Sequence, residues 1–333
     1  MFDAKKILLH AKKILLLLAL SSASLQAQQS ISPAQPSATA VAEGRAGLFT
    51  IPEAQLRTTV PQIHHQYLGV GGALLRDTYL SPLRYGGKAI SYISEVTRLG
   101  YQRRADSVAA AGSLFSYHGR LADQRWRRHT LLTVDLGLTT NPAGNASIYT
   151  LQGRYDWGYL RQLYNGKWGT LSVGGSLSAL AGVRYSTRNG NNPASLDFGL
   201  SIGPSLLYSK RLGGEKLPML AKLYLRSGLL GTTFSQEFGE TYYELYYYSK
   251  PLKRFSLAHP GNAPELQLLT SLDLPVLDYL TLSIGYRWDY REKRLHHLHS
   301  GYSQHSLLIG VSTTLLPLQG RRVRSSHSSS LPF

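Results

Sequence analysis

The chain contains no cysteine among its 333 residues. That absence excludes disulfides, thiolate metal sites, a catalytic thiol and the cysteine at which a lipid-anchored lipoprotein starts. Long apolar runs are nearly absent as well. The run Ile14–Leu20 is shorter than the roughly 20 residues that a spanning helix needs, and no other stretch could cross a bilayer as a helix.

The N-terminal pattern predicts export. Four lysines precede the short apolar run, and small and polar residues follow it, which is typical of a secretory signal peptide. We expect residues 1–27 to be that signal, with cleavage after Ala27. These residues carry four lysines and one aspartate, so the formal charge of +17 falls to +14 in the mature chain. The basic residues are spread out, so we expect attraction to anionic lipid and no nucleic-acid partner.

Alternation with a period of two is the dominant pattern. From Leu280 to Arg291 one face is wholly apolar, and the other is polar, small or charged. Successive side chains of a strand point to opposite faces. The alternating segments are longer than the strands of most soluble sheets, and aromatic residues lie near their ends, as in interfacial girdles. The sequence therefore predicts an all-β fold, a transmembrane antiparallel up-and-down β-barrel, over residues 56–316.

We expect ten strands, with twelve as the alternative count, because 103–125 and 241–248 are ambiguous. The ten lie at about 62–74, 85–102, 126–139, 147–161, 168–185, 195–209, 219–231, 265–275, 279–291 and 303–315. Short turns at 162–167, 210–218 and 276–278 would face the periplasm, and longer loops at 75–84, 140–146, 186–194, 232–264 and 292–302 the outside. Residues 28–55 and the basic, Ser-rich 317–333 are expected to be flexible ends.

The loop stretch STRNGNNPAS, Ser186–Ser195, holds three asparagines, a glycine and a proline. These residue types suit a turn, since Asn and Gly tolerate positive φ and Pro fixes φ. A second interpretation is recognition, because several such loops converge on one barrel mouth, where amides and carboxylates could hold a polar ligand or a cation. The candidate ligand-binding residues at the extracellular mouth are Asp77, Asn141, Asn145, Asn189, Asn191, Asn192, Tyr243, Glu244 and Asn262.

Five of the loop stretches together resemble a known family. They are, in order, DTYLSPLRYGG, TTNPAGN, STRNGNNPAS, FGETYYE and HPGNAP. The family is the domain-of-unknown-function family numbered 3316, uncharacterised outer-membrane proteins of the Bacteroidales. The resemblance covers about residues 62–316 and implies an outer-membrane barrel, without an established activity. Two segments, 103–125 and the tail beyond Leu316, are longer than that family leads us to expect.

Charged residues on the inward faces admit two interpretations. They could form an ion-pair network that props the lumen, or a constriction whose basic excess would favour anions. Ten strands make a narrow barrel, so we favour a plugged or narrow lumen over a conducting pore. The residues expected to form this charge network are Asp135, Arg154, Asp156, Arg184, Asp197, Lys222, Arg226, Arg287, Asp289 and Arg291.

Metal and hydrolase chemistry find less support. The stretch HHLH at His296–His299, with His305, could supply imidazole ligands, but no carboxylate stands at a helpful spacing, so we predict no metal and no cofactor. A hydrolase acting on outer-leaflet lipid could assemble Ser195, His259 and Glu244, yet nothing in the sequence fixes their mutual geometry. The one GxSxG match, GLSIG at 199–203, lies within an alternating strand segment and not at a strand-to-helix turn.

These patterns together predict a non-enzymatic protein of the bacterial outer membrane. We expect a narrow channel, or a barrel whose outer mouth binds a polar small ligand or an envelope protein. The alternatives are an enzyme that modifies outer-leaflet lipid, and a structural or accessory subunit of an envelope complex. We expect a monomer whose surroundings are outer-membrane lipid.

Overall fold

The computed structural model describes residues 62–99, 126–190, 192–213, 218–241, 244, 247, 254–277 and 280–315. Twelve antiparallel strands make up most of this part of the chain. They are β1 Gln62–Asp77, β2 Ser81–Leu99, β3 Trp126–Thr140, β4 Ser147–Gly166, β5 Gly169–Ser186, β6 Ala194–Leu212, β7 Met219–Ser227, β8 Leu230–Phe234, β9 Phe255–Ala258, β10 Glu265–Leu277, β11 Leu280–Leu295 and β12 Leu298–Leu315. None of the described residues forms a helix long and apolar enough to span a bilayer.

Ten of these strands close into a ring. Their order is β5-β4-β3-β2-β1-β12-β11-β10-β7-β6, and β6 pairs back onto β5. β1 pairs with β12 from Gln62↔Leu315 to Asp77↔Ser300. β5 pairs with β6 from Thr170↔Ser209 to Tyr185↔Ala194, and this pairing closes the ring. The predicted ten-strand antiparallel up-and-down barrel is confirmed.

The other two strands lie outside the ring. β7 pairs with residues Ser205–Leu212 of β6, and β8 pairs with residues Gly199–Ile202 of the same strand. β9 then pairs with β8. At the break between β7 and β8 only glycine fits at position 203, because a Cβ there would lie 1.9 Å from the Ser227 carbonyl oxygen. β8 and β9 form a flap at the end of the barrel that carries the longer loops.

Two of the expected long loops are wrong. In place of loops at 75–84 and 292–302, the strands extend to Asp77 and Ser81, and to Leu295 and Leu298. His296 and His297 close the second hairpin with φ of 51° and 61°. Positive φ at both central residues is the signature of a type I′ turn. Asn, Asp and Gly are the usual residues at these positions. The two histidines therefore gave no sequence signal for a tight turn.

The ambiguous segments fare differently. Residues 103–125 lie outside the described residues. At 241–248 the described Glu244 and Tyr247 are helical, so these two positions are not strand.

The two faces of the barrel wall are opposite in character. Inward positions are mostly polar and buried, while outward positions carry large exposed apolar side chains such as Val70, Leu307 and Ile309, each at least 65% exposed. Exposed aromatic rings lie towards the two ends of the strands, with Trp157 and Trp168 near the short turns and Tyr185 near the longer loops. A continuous apolar outer surface of this kind is costly in water and is suited to lipid contact.

Candidate functional site

Ion pairs span the middle of the lumen. Arg154 on β4 donates from Nη1 to Asp289 Oδ1 on β11 at 3.0 Å. Arg287 on β11 donates to both carboxylate oxygens of Asp135 on β3 at 2.6 and 3.1 Å, and to Asp289 Oδ2 at 2.9 Å. β4 and β11 stand five places apart in the ring of ten. The Arg154–Asp289 pair therefore crosses the full width of the barrel.

A second tier of charges lies nearer the long-loop end. The Asp197 carboxylate accepts from Lys293 Nζ at 2.6 Å and from Arg184 Nη2 at 2.7 Å, and Arg291 Nη1 lies 3.5 Å away. Arg184 also donates from Nη1 to Asp77 Oδ2 at 2.9 Å. In this outer tier three cations lie around Asp197, and Arg184 also pairs with Asp77.

A third tier lies nearer the short turns. Lys222 on β7 donates to Glu95 on β2, across the ring. Glu95 Oε1 is 2.8 Å from His129 Nε2, and His65 Nε2 is 2.9 Å from Asp273 Oδ2. Buried side chains from five strands therefore meet in this third tier.

Apolar side chains also enter the lumen, which corrects the expectation of a uniformly polar inward face. A buried cluster contains Tyr67, Ile93, Leu131, Leu160, Leu207, Tyr224, Leu269 and Leu308. An apolar constriction repels water and ions. The ion-pair tiers and the apolar cluster together occupy the interior of the described barrel.

The ten residues predicted for the lumen charge network are all buried and inward-facing. The expected basic excess is missing, however. Among the described buried side chains six are lysine or arginine and eight are carboxylates. An anion preference therefore has no basis in the charge of the lumen as a whole.

A cleft lies beside the outer tier. It spans about 400 Å³ when the space open to solvent is included, and its cavity volume is about 20 Å³. Arg291, Glu265 and Tyr302 give it polar walls, and Ala258 and Ala263 give it small apolar ones. A neighbouring cleft shares three of its lining residues, Arg184, Lys293 and Ser300, and is bounded on its other side by Phe234 and Gln236. We call the two together the outer chamber.

The unpaired polar atoms at the outer chamber are hydrogen-bond donors. Arg184 Nε and Gln236 Nε2 are buried and have no hydrogen-bond partner among the described residues. Arg291 Nε also makes no hydrogen bond and lies 3.8 Å from Asp289 Oδ1. Buried donors almost always have an acceptor. The chamber is therefore suited to a molecule rich in oxygen acceptors.

The segment after β8 covers part of the mouth. Tyr79 donates its hydroxyl to the Glu240 carbonyl oxygen at 2.6 Å, which ties this segment to the β1–β2 turn. Arg254 donates to Glu240 at 2.7 Å and to Glu237 at 2.5 Å. The Glu240 hydrogen bond holds the pKa of Arg254 above its ordinary value. These contacts hold the segment at the entrance, where Gln236 lies buried.

Most of the candidate asparagines at the mouth stabilise turns. Asn141 Oδ1 accepts from the backbone nitrogens of Asn145 and Ala146 at 3.1 and 3.2 Å. Asn189 Oδ1 accepts from the backbone nitrogen of Asn192 at 3.0 Å. In STRNGNNPAS, therefore, Asn189 makes the side-chain contact of a turn residue. The Oδ1 atoms of Asn141 and Asn189 are therefore bound to backbone nitrogens of their own loops.

Two of the other candidate residues also stabilise turns. Asn262 Oδ1 accepts from the backbone nitrogen of His259 at 2.8 Å, and Glu244 Oε2 accepts from that of Thr241 at 2.7 Å. Among the described candidates, Asp77 is the one with an ion pair in the outer tier. Asn191 and Tyr243 lie outside the described residues.

The hydrolase and metal candidates are not assembled. Ser195 is buried on β6, His259 Nδ1 accepts from the Gly261 backbone nitrogen at 3.1 Å, and Glu244 is bound within its own turn. No group of three or more His, Asp or Glu side chains in the described ranges is placed to hold a metal ion.

Comparison with known proteins identifies a family. The family described as "Protein of unknown function (DUF3316)" matches residues 115–322. This chain belongs to it. No curated protein matches.

Comparison with solved structures gives matches of low sequence identity to this family member. The outer membrane protease OmpT of Escherichia coli is 8% identical, with a TM-score of 0.43 and coverage of 77% of this chain and 97% of that one. The translocator domain of the autotransporter NalP of Neisseria meningitidis is 11% identical, with a TM-score of 0.35 and coverage of 77% and 88%. Neisserial surface protein A is 12% identical, with a TM-score of 0.28 and coverage of 76% and 96%.

Several lumen residues escaped the sequence analysis. Lys293 continues the inward series Arg287, Asp289 and Arg291 at a spacing of two, but it fell inside an expected loop. Glu95 lies two residues after Ile93, which also faces inward. Because Ile93 is apolar, this face of β2 did not look like a polar inward face in the sequence. In both places, following the period-two alternation further along the strand would have identified the residue as inward-facing.

Proposed function

We propose that this chain is an outer-membrane β-barrel with a closed lumen, and that it binds a small oxygen-rich anion in the outer chamber. The exposed apolar belt and the girdle aromatics support insertion into the outer membrane. The trans-lumen pairs support closure. The buried donors Arg184 Nε and Gln236 Nε2 carry the ligand proposal. The charged donors Arg184, Arg291 and Lys293 in the chamber wall favour an anionic acceptor.

Closure of the lumen is tested by conductance. We expect the full chain, folded into planar bilayers, to give no steady current. A steady current in the wild type would contradict a closed lumen. Insertion is checked independently by the slower gel migration of the same samples after heating.

Ligand binding is tested with a hexuronate, with the matching neutral hexose as comparison. We expect the hexuronate to raise the thermal unfolding midpoint and the hexose to have a much smaller effect, because binding to the folded state stabilises it. Ala263→Leu fills the chamber wall without removing a charge and should abolish the shift. Ala143→Leu makes the same change in an exposed loop and should leave it intact. An equal shift in both variants would place binding elsewhere.

A further inference from the structure

The short-turn end of the barrel is basic on one half of its circumference. Six cations stand on its outward face or rim, all on β2–β6 or their turns: Arg98, Arg128, Arg161, Lys167, Lys210 and Arg211. The described ends of β1, β12, β11, β10 and β7 carry no outward lysine or arginine there. The described carboxylates at this end, Glu95, Asp156 and Asp273, are buried in the lumen. We call these six cations the basic half-rim.

Two of the cations oppose each other directly. Arg98 on β2 is in register with Arg128 on β3, and both lie on the outward face. On the same face, Arg161 of β4 stands in register with Trp126. Like charges directly opposite in an antiparallel pair are destabilising, unless an anion lies between them. In the described part of the chain no carboxylate forms an ion pair with Arg98 or Arg161.

The remaining cations gather around an exposed tryptophan. Lys167 Nζ and Lys210 Nζ each lie 5.5 Å from the centroid of the Trp168 ring. That ring is 63% exposed. Exposed Trp rings on a barrel exterior lie at the level of the lipid headgroups. The ring therefore places both lysines at the depth of the phosphates.

We propose that the basic half-rim binds the phosphate groups of anionic phospholipids in the leaflet next to the short turns. Arg98 and Arg128 suit bidentate contacts with one phosphate, and Lys167 and Lys210 suit point-charge contacts with another. Lipid is favoured over an acidic protein because the cations lie on the lipid-facing side of the wall, among exposed aromatic rings.

This inference rests on the proposed membrane insertion. The test uses the full chain in nanodiscs of phosphatidylcholine alone or mixed with phosphatidylglycerol. After transfer to mild detergent, native mass spectrometry counts the lipids that stay bound. We expect retained phosphatidylglycerol on the wild type, and a several-fold loss in Arg98→Gln with Arg128→Gln and in Lys167→Gln with Lys210→Gln. Arg188→Gln, in an exposed loop at the other end, is the matched control.

The outcomes separate the two proposals. Failure to insert, seen as unchanged gel migration on heating, would contradict the membrane barrel itself. Insertion without preferential retention of phosphatidylglycerol would overturn only the half-rim proposal. Equal losses in the half-rim variants and in Arg188→Gln would mean diffuse attraction by net charge, which also overturns it. Each variant is accepted only if it keeps the wild-type heat-dependent migration, so a folding defect is not read as lost binding.

Discussion

A single carboxylate, Asp289, lies within 4 Å of three guanidinium groups in the lumen. Its oxygens lie 3.0 Å from Arg154, 2.9 Å from Arg287 and 3.8 Å from Arg291. Taking ions out of water costs several kcal/mol each, and close pairing offsets that cost. Removing this carboxylate takes the 3.0 Å partner from buried Arg154, while Arg287 keeps Asp135 and Arg291 keeps Asp197. The effect of such a change should therefore exceed that of a surface ion pair.

We expect Asp289→Asn to lower the free energy of unfolding by about 3–5 kcal/mol. The lost negative charge should also make any leak current prefer anions. Urea titration of the refolded barrel in vesicles measures the first effect, and bilayer recording measures the second. Glu244→Gln, in an exposed turn, is the control and should change neither. Unchanged stability in Asp289→Asn would mean that water replaces the carboxylate at little cost.

Close approach of two strands gives a second prediction at this scale. A Cβ at Gly71 would lie 1.7 Å from the His305 carbonyl oxygen, whereas nothing lies within 4 Å of one at Gly190. Gly71→Ala should destabilise the barrel by about 1–3 kcal/mol through overpacking, and Gly190→Ala should leave stability nearly unchanged. Thermal unfolding of the two variants measures the difference. Equal midpoints would mean that β1 and β12 separate easily at this point.

Among the elements, the strands could be predicted and their partners across the lumen could not. Alternation is a local signal, so β4, β5 and β11 were found near their true bounds. The contacts in the lumen depend on closure of the ring. Lys222 meets Glu95, 127 residues earlier in the chain, and local pattern cannot say which inward residues will face each other. The same limit explains why the mouth asparagines looked like a binding set, since a turn residue and a ligand residue have the same local signature.

The β11–β12 hairpin offers a prediction with a defined sign. His297 is exposed and holds a φ of 61°, a conformation that costs a non-glycine residue about 1–2 kcal/mol. His297→Gly should therefore raise the free energy of unfolding by about 1 kcal/mol. His299→Gly, two residues on within β12, should lower it, because glycine weakens a strand interior. Chemical unfolding of both variants checks the opposite signs, and a loss of stability in His297→Gly would mean that the imidazole contributes more than the turn strain costs.

For the whole molecule, the asymmetry between the two ends should fix the orientation in the membrane. Barrels of this architecture place short turns in the periplasm and longer loops outside. The basic half-rim lies at the short-turn end, and the outer chamber lies at the other. If the chain inserts in that sense, the chamber is open to the surroundings of the cell and the half-rim faces the inner leaflet of the outer membrane.

The absence of cysteine allows a clean test of that orientation. Arg188→Cys places one thiol in a long-end loop, and Lys167→Cys places one in a short turn. With an impermeant maleimide on intact cells, we expect Arg188→Cys to react and Lys167→Cys to react only after the outer membrane is permeabilised. The wild type should stay unlabelled throughout. The reverse pattern would place the outer chamber in the periplasm, and a ligand for it would then have to be sought among periplasmic anions.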